Sequence, residues 1–135
     1  MPGYSGTPLA KKLGYKQGCR AYLDGAPAEY RSWLEPLPAD VVFLGRPGTG
    51  LDLVHLFCTE LAALGRKLDA YQTCIAPNGM IWVSWPKKAA QVPTEIAEDV
   101  VREHALARGL VDVKVCAVSA VWSGLKLVVR REKRR

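Results

Sequence analysis

Lys87 and Lys88 stand together directly after an apolar run that ends in Trp85-Pro86. Two ammonium groups on a proline-stiffened approach suit a small anion such as a phosphate, which they would hold as point charges. Arg46, within Gly45-Arg46-Pro47-Gly48, is a third cation of this kind. Asp24, Gly25, Thr59 and Ser84 each close or follow an apolar run, where a strand tip would present them to a ligand. Trp85 and Trp122 are candidates for an aromatic wall beside it.

The remaining reactive residues read as packing. His55 lies inside the apolar run 51–58, where a hydrogen-bonded core histidine is expected, and His104 falls on the edge of an amphipathic segment. Neither has a serine or cysteine that the sequence places beside it, so no nucleophile–base pair is read. Cys19, Cys58, Cys74 and Cys116 lack metal-ligand spacing, and no C-x-x-C occurs. They read as free thiols in a reducing compartment, with neither a disulfide nor a metal expected. The phosphate-binding loop G-x-x-x-x-G-K-[ST] and the nucleophile elbow G-x-S-x-G are absent.

Whether those groups ever meet depends on the elements that carry them. A chain of 135 residues, 49% hydrophobic and 24% charged, has the size and composition of one globular domain. It can bury roughly two thirds of its unfolded surface, so it needs no staple to fold. No apolar run approaches the ~20 residues of a membrane span, and residues 1–6 lack the pattern of a signal peptide. A soluble, cytoplasmic protein with no membrane partner is the expectation. The net charge is +6, yet Arg130, Arg131, Lys133, Arg134 and Arg135 against Glu132 put +4 of it into the last six residues. The other 129 residues carry only +2, which implies a basic tail and no basic face across the fold. Such a tail frays in solvent or touches a polyanion through its phosphates without reading sequence.

The pattern along the chain alternates strands and helices. Thr7 and Pro8 open a short helix that Gly14 closes. Strands are predicted at 19–23, 41–44 and 51–58, with a short helix at 28–34 between the first two. Leu61, Leu64, Leu68, Tyr71 and Ile75 recur at helical spacing, and Pro77-Asn78-Gly79 should end that helix before a strand at 80–85. Thr94 is the expected cap of the next helix, with Glu95, Glu98 and Asp99 near its positive end, Arg108 near its negative end and Gly109 as its stop. Its expected core face is Ile96, Ala97, Val100, Val101 and Ala105. Val111, Val113, Val115 and Ala117 then alternate with Asp112, Lys114 and Cys116, and Leu125, Leu127 and Val129 with Lys126 and Val128. A connection at 119–123 is too short for a parallel crossover, so this pair should be antiparallel. The predicted fold is a single Rossmann-like α/β domain, 1–135, with three layers and a mostly parallel sheet of about six strands that ends in an antiparallel hairpin. An N-terminal arm with its short helix, 1–14, and the basic tail, 130–135, flank it.

From residue 51 to 131 the order of elements resembles the second half of the class I S-adenosylmethionine methyltransferases. The turn Ile75-Ala76-Pro77-Asn78-Gly79-Met80-Ile81-Trp82-Val83 carries that likeness. Nearly the whole chain is also similar to a family of small bacterial proteins with a domain of unknown function. That similarity rests on Gly3-Tyr4-Ser5-Gly6-Thr7-Pro8-Leu9, Trp85-Pro86-Lys87-Lys88, Glu98-Asp99-Val100-Val101-Arg102-Glu103, residues 112–118 and Trp122-Ser123-Gly124-Leu125-Lys126. It implies a bacterial cytosolic protein and transfers no catalytic residue. The methyltransferase likeness implies a glycine-rich turn after the first strand and a carboxylate at the tip of the second. The sequence has Asp24-Gly25-Ala26-Pro27 and Gly45-Arg46 there, so no cofactor is expected, S-adenosylmethionine remaining open.

In open parallel sheets ligands sit outside the carboxyl ends of the strands at the switch point. The expected ligand-binding set is therefore Asp24, Gly25, Arg46, Thr59, Ser84, Trp85, Lys87, Lys88 and Trp122, with catalytic residues unassigned. The leading reading is a non-enzymatic binding or regulatory domain for a small anionic, phosphate-bearing ligand. One alternative is a divergent S-adenosylmethionine- or nucleotide-dependent enzyme. Another is weak nucleic-acid contact through the basic tail. Oligomeric state is not read from the sequence.

Overall fold

Strand order gives the architecture. In the computed structural model, which describes residues 7–133, six strands form one sheet in the order β2-β1-β3-β4-β6-β5. Gly3 to Gly6 of the family resemblance and Arg134 and Arg135 of the tail lie outside the described residues. The elements are α1 (Leu9–Leu13), β1 (Arg20–Asp24), α2 (Tyr30–Trp33), β2 (Val42–Phe43), β3 (Leu51–Phe57), α3 (Leu61–Tyr71), β4 (Ile75–Pro86), α4 (Glu98–Leu106), β5 (Leu110–Ala117) and β6 (Trp122–Val129). β2, β1, β3 and β4 are parallel, while β6 runs antiparallel to both β4 and β5. The strands from Arg20 to Pro86 thus share one direction, and their carboxyl ends share one rim.

Alternation along the strands divides the core in two. Tyr22, Val54, Leu56, Ile81 and Val83 face α3 and α4, packing on Leu64, Leu68, Val101 and Ala105. Ala21, Leu53, Phe57 and Trp82 face the other way, onto Ala10 and Leu13 of α1 and Tyr30 of α2. The continuous apolar run of β3 follows from burial on both faces. Each fully buried leucine adds about 2 kcal/mol of transfer free energy.

Four sequence expectations change. The apolar spacing continues to Ile75, but α3 ends at Tyr71, and Ile75 opens β4 opposite Leu51. The next paired residues are Leu53 and Met80, so Pro77, Asn78 and Gly79 form an excursion inside β4 and no stop before it. A Cβ on Gly79 would lie 2.7 Å from the Leu51 carbonyl oxygen, which is why glycine stands there. Second, α4 starts at Glu98 with Ala97 at its N-cap. Thr94 and Glu95 serve the junction instead: the Thr94 hydroxyl accepts from the Ile96 amide at 3.0 Å, and the Glu95 carboxylate accepts from Leu61 N–H at 2.9 Å, capping α3. Third, the strict alternation of Val111, Val113, Val115 and Ala117 with polar residues does not translate into one buried face, since Val113 and Val115 are 52% and 50% exposed. The register slips between Asp112 and Lys114, and across this bulge the buried positions change face, Leu110 joining the α3/α4 core and Cys116 the α1/α2 core. Fourth, Pro8, not Thr7, holds the N-cap of α1. Gly14 closes that helix at φ 96°, its N–H bonded to the Ala10 carbonyl at 3.1 Å.

Candidate functional site

The rim of parallel strand tips holds the switch point between β1 and β3, where connections leave to opposite faces of the sheet. Asp24 ends β1 on the α3 side. Its carboxylate accepts from Lys67 Nζ at 3.0 Å and from the Tyr71 hydroxyl. Burial, with the bond to Asp24 next, holds the Tyr71 phenol far above its usual pKa, so it remains a donor. Gly25 follows with φ 74°, and a Cβ there would stand 3.0 Å from the Phe57 carbonyl. Its glycine is therefore needed for the close approach of β1's exit to β3.

On the α1/α2 side the crevice is filled. His55 and Phe57 stack at 4.4 Å, Tyr30 meets both edge-on, and Phe57 meets Trp122 at 5.0 Å. A chain of hydrogen bonds runs through this cluster: Tyr15 hydroxyl to Tyr30 hydroxyl at 2.8 Å, Tyr30 hydroxyl to His55 Nδ1 at 2.7 Å, and His55 Nε2 to Ser84 Oγ at 2.7 Å. All four residues are buried, His55 and Ser84 completely. Burial lowers the His55 pKa to about 3, so the ring is neutral and fixes one donor and one acceptor. Burial likewise holds Tyr15 and Tyr30 well above the ordinary phenol value.

The sequence-derived set therefore separates. Ser84 is committed to His55, and Gly124 opposite leaves it room, since a Cβ there would be 3.0 Å from Ser84 Oγ. Trp85 packs into the α3/α4 core, whereas Trp122 packs on the other face, so the two build no common wall. Arg46 is exposed beyond β2. Two strands, β1 and β3, lie between β2 and β4, which puts about 14 Å between their axes. Thr59 is half-buried, its carbonyl taken by Glu95 N–H at 2.9 Å. Lys87 is half-exposed, its N–H bonded to the Val121 carbonyl at 2.7 Å, and Lys88 is exposed at the start of a 3-10 turn. Sequence reasoning missed the pairing of His55 with Ser84, which lie 29 residues apart. The in-phase position of both on inward faces of neighbouring runs was the one signal available. Among the described residues no cluster of His, Cys, Asp and Glu could hold a metal ion, and no helix is long and apolar enough to cross a membrane. The four cysteines are free.

No protein-family model and no curated protein sequence matches the chain. Solved structures do. A provisionally assigned type 11 methyltransferase from Sulfolobus solfataricus aligns with a TM-score of 0.66 and 11% identity, over 94% of this chain and 92% of that one. DhpI in complex with SAH aligns at 0.64 and 12% identity, over 92% and 83%. A SAM dependent methyltransferase from Aquifex aeolicus aligns at 0.58 and 12% identity, over 90% and 88%. The fold is thus that of the S-adenosylmethionine methyltransferases, along nearly the whole chain and not only from residue 51.

The residues present fit that cofactor poorly. The space beside Gly25 belongs to Phe57, the Asp24 carboxylate is taken by Lys67 and Tyr71, and the tip of β2 offers Arg46 instead of a carboxylate. No transfer step follows from these side chains.

Proposed function

We propose that this chain is a divergent S-adenosylmethionine- or nucleotide-dependent protein, with its ligand on the β1/β3 rim outside the filled crevice. The observation that carries the reading is the switch point itself: four parallel tips on one edge, in a fold shared with methyltransferases over nine tenths of the chain. Gly25, exposed and at positive φ, offers backbone at that edge without a side chain.

A second reading is a non-enzymatic domain for a small anion. Lys87 and Lys88 favour it, since neither is in an ion pair among the described residues. Thermal unfolding separates the two. S-adenosylmethionine or S-adenosylhomocysteine at 100 times its dissociation constant should add about 2.7 kcal/mol of stability, a shift of several degrees. A flat response to both compounds and to nucleotides defeats the first reading. An equal response of the wild type and a Lys87→Ala, Lys88→Ala variant to tripolyphosphate defeats the second.

A further inference from the structure

Positive charge is gathered more tightly than the small net value outside the tail implies. Lys114 on β5 and Lys126 on β6 are directly opposed in the antiparallel register. Opposed residues share a face of the sheet with Cβ atoms about 5 Å apart, and like charges so placed repel. The face is the one that α1 covers, because Lys126 is in turn opposite Trp82, whose indole N–H donates to the Leu13 carbonyl at 2.7 Å. Lys12 of α1 lines a hollow of about 240 Å³ with Lys114, Val115, Cys116 and Ala117. Burial, followed by the charges of Lys114 and Lys16, holds the Lys126 ammonium below its usual pKa. Burial raises the Cys116 thiol, while Lys12, Lys114 and Lys87 pull it back down. Lys12, Lys114 and Lys126 thus share one surface, and Lys16 in the loop after α1 and Lys87 just beyond β4 are near enough for their charges to be felt there.

That surface has no ion pair of its own among the described residues. The four ion pairs of the described residues use Lys67, Arg102 and Arg108 and none of these five. Residues 1–6 and 134–135 bring no acidic side chain, since they read MPGYSG and Arg-Arg. Two lysines opposed across a ladder, with further positive charge beside them, repel one another, and an anion placed among them relieves that repulsion.

We propose that the face formed by Lys12, Lys16, Lys87, Lys114 and Lys126 binds the phosphate backbone of a nucleic acid. The hollow is lined by only two of the five, so one phosphate would leave the rest unsatisfied. A duplex, with one charge per ~1.7 Å of its axis, meets all of them at once. Lysines act as point charges without the bidentate fork that reads a base edge, so the contact positions the partner and is blind to sequence. The surface is separate from the basic tail, to which the sequence alone confined such contact.

The test is fluorescence anisotropy of the full chain with a labelled 20-base-pair DNA duplex and an RNA duplex of equal length, from 50 to 200 mM salt. The wild type should bind with a steep salt dependence. Lys12→Ala, Lys114→Thr, Lys126→Thr should lose at least tenfold in affinity at 50 mM salt. Its log–log salt slope on DNA should become shallower by about 0.9 for each contact removed. The same loss should appear in a chain with Arg130, Arg131, Lys133, Arg134 and Arg135 changed to alanine, which isolates the face from the tail. Relief of the opposed pair should leave the melting temperature unchanged or raised. Lys12→Ala, Lys16→Ala leaves the sheet untouched and should lose several-fold by itself. All these variants retain Lys87 and Lys88, on which the small-anion reading rests, so a loss of duplex binding is not a loss of that pair. Wild-type affinity in the triple variant overturns the proposal. So does stabilisation by tripolyphosphate without binding of either duplex, which would mark a small-anion site.

Discussion

On the α3/α4 face the charged groups near the sheet are matched. Asp24 takes Lys67, Asp69 takes Arg108 at 2.7 Å, and Arg102 joins Asp112 and Glu98. On the α1/α2 face the buried polar groups are neutral, linked from Tyr15 to Ser84, and among the described residues Lys12, Lys16, Lys87, Lys114 and Lys126 outside them are in no ion pair. The first arrangement is self-sufficient. Its exposed pairs contribute little each, about 0–1 kcal/mol, and ask nothing of solvent or ligand. The second is satisfied inside and unsatisfied outside. A fold tolerates repulsion between surface lysines because water screens it, but the same lysines then remain available to an anion. The difference teaches that one face balances its charge pair by pair within the fold, while the other balances only its buried neutral groups and leaves its lysines to solvent.

The sharpest way to break this comparison is to remove one hydroxyl from each face. Tyr30→Phe should cost about 2–4 kcal/mol in urea unfolding, because it strands His55 Nδ1 and the Tyr15 hydroxyl in the core. Tyr71→Phe should cost less than about 1 kcal/mol, because Asp24 retains Lys67 and has access to water. Equal costs would show that the neutral chain is no more demanding than the charged rim.

Acidification gives a smaller effect, and its sign follows from His55. The folded ring titrates at about 3 and an unfolded one near 6.5, so the unfolded chain binds the proton first. Stability from this group is complete above about pH 6.5 and is lost as pH falls toward 3. Between pH 7 and 5 the wild type should lose about 2 kcal/mol more than a His55→Gln variant does. Parallel losses would mean that His55 is protonated in the folded core.

The smallest effect belongs to the outer surface. Lys114→Thr removes one of two opposed charges on β5 and β6, and should raise stability by a few tenths of a kcal/mol at low salt. The gain should vanish near 1 M salt, where the Debye length is about 3 Å. A gain that persists at high salt would assign it to the β-propensity of threonine instead of charge.

Much of the scaffold was legible. The apolar runs at 51–58 and 80–85 gave central strands, their alternation with amphipathic segments gave parallel pairing, and the short link before Trp122 gave the antiparallel end. The expectation of a methyltransferase-like sheet with its tips on one rim holds. Periodicity failed where one residue changes the phase. The bulge after Asp112 puts Leu110 and Cys116 into different cores and Val113 and Val115 into neither, and Ile75 continued the helical spacing of α3 although it pairs in β4. The candidate site was less legible. Position at a strand tip could be inferred for Asp24 and Ser84, but not that Lys67 and Tyr71 would take one and His55 the other.

What the sequence by itself determined is whatever neighbours along the chain decide: which segments are strands, which helices, and in what order they come. Periodicity of two or 3.6 residues is local, and hydrophobic burial enforces it wherever a segment must cover the sheet. Only the tertiary structure decided which polar groups meet. Tyr15, Tyr30, His55 and Ser84 are scattered in sequence and so are Lys12, Lys114 and Lys126, yet each set converges because strand register and the packing of α1 and α2 carry distant residues onto one face. Hydrogen bonds and charge repulsion act over a few ångströms of space, and separation along the chain does not report that distance.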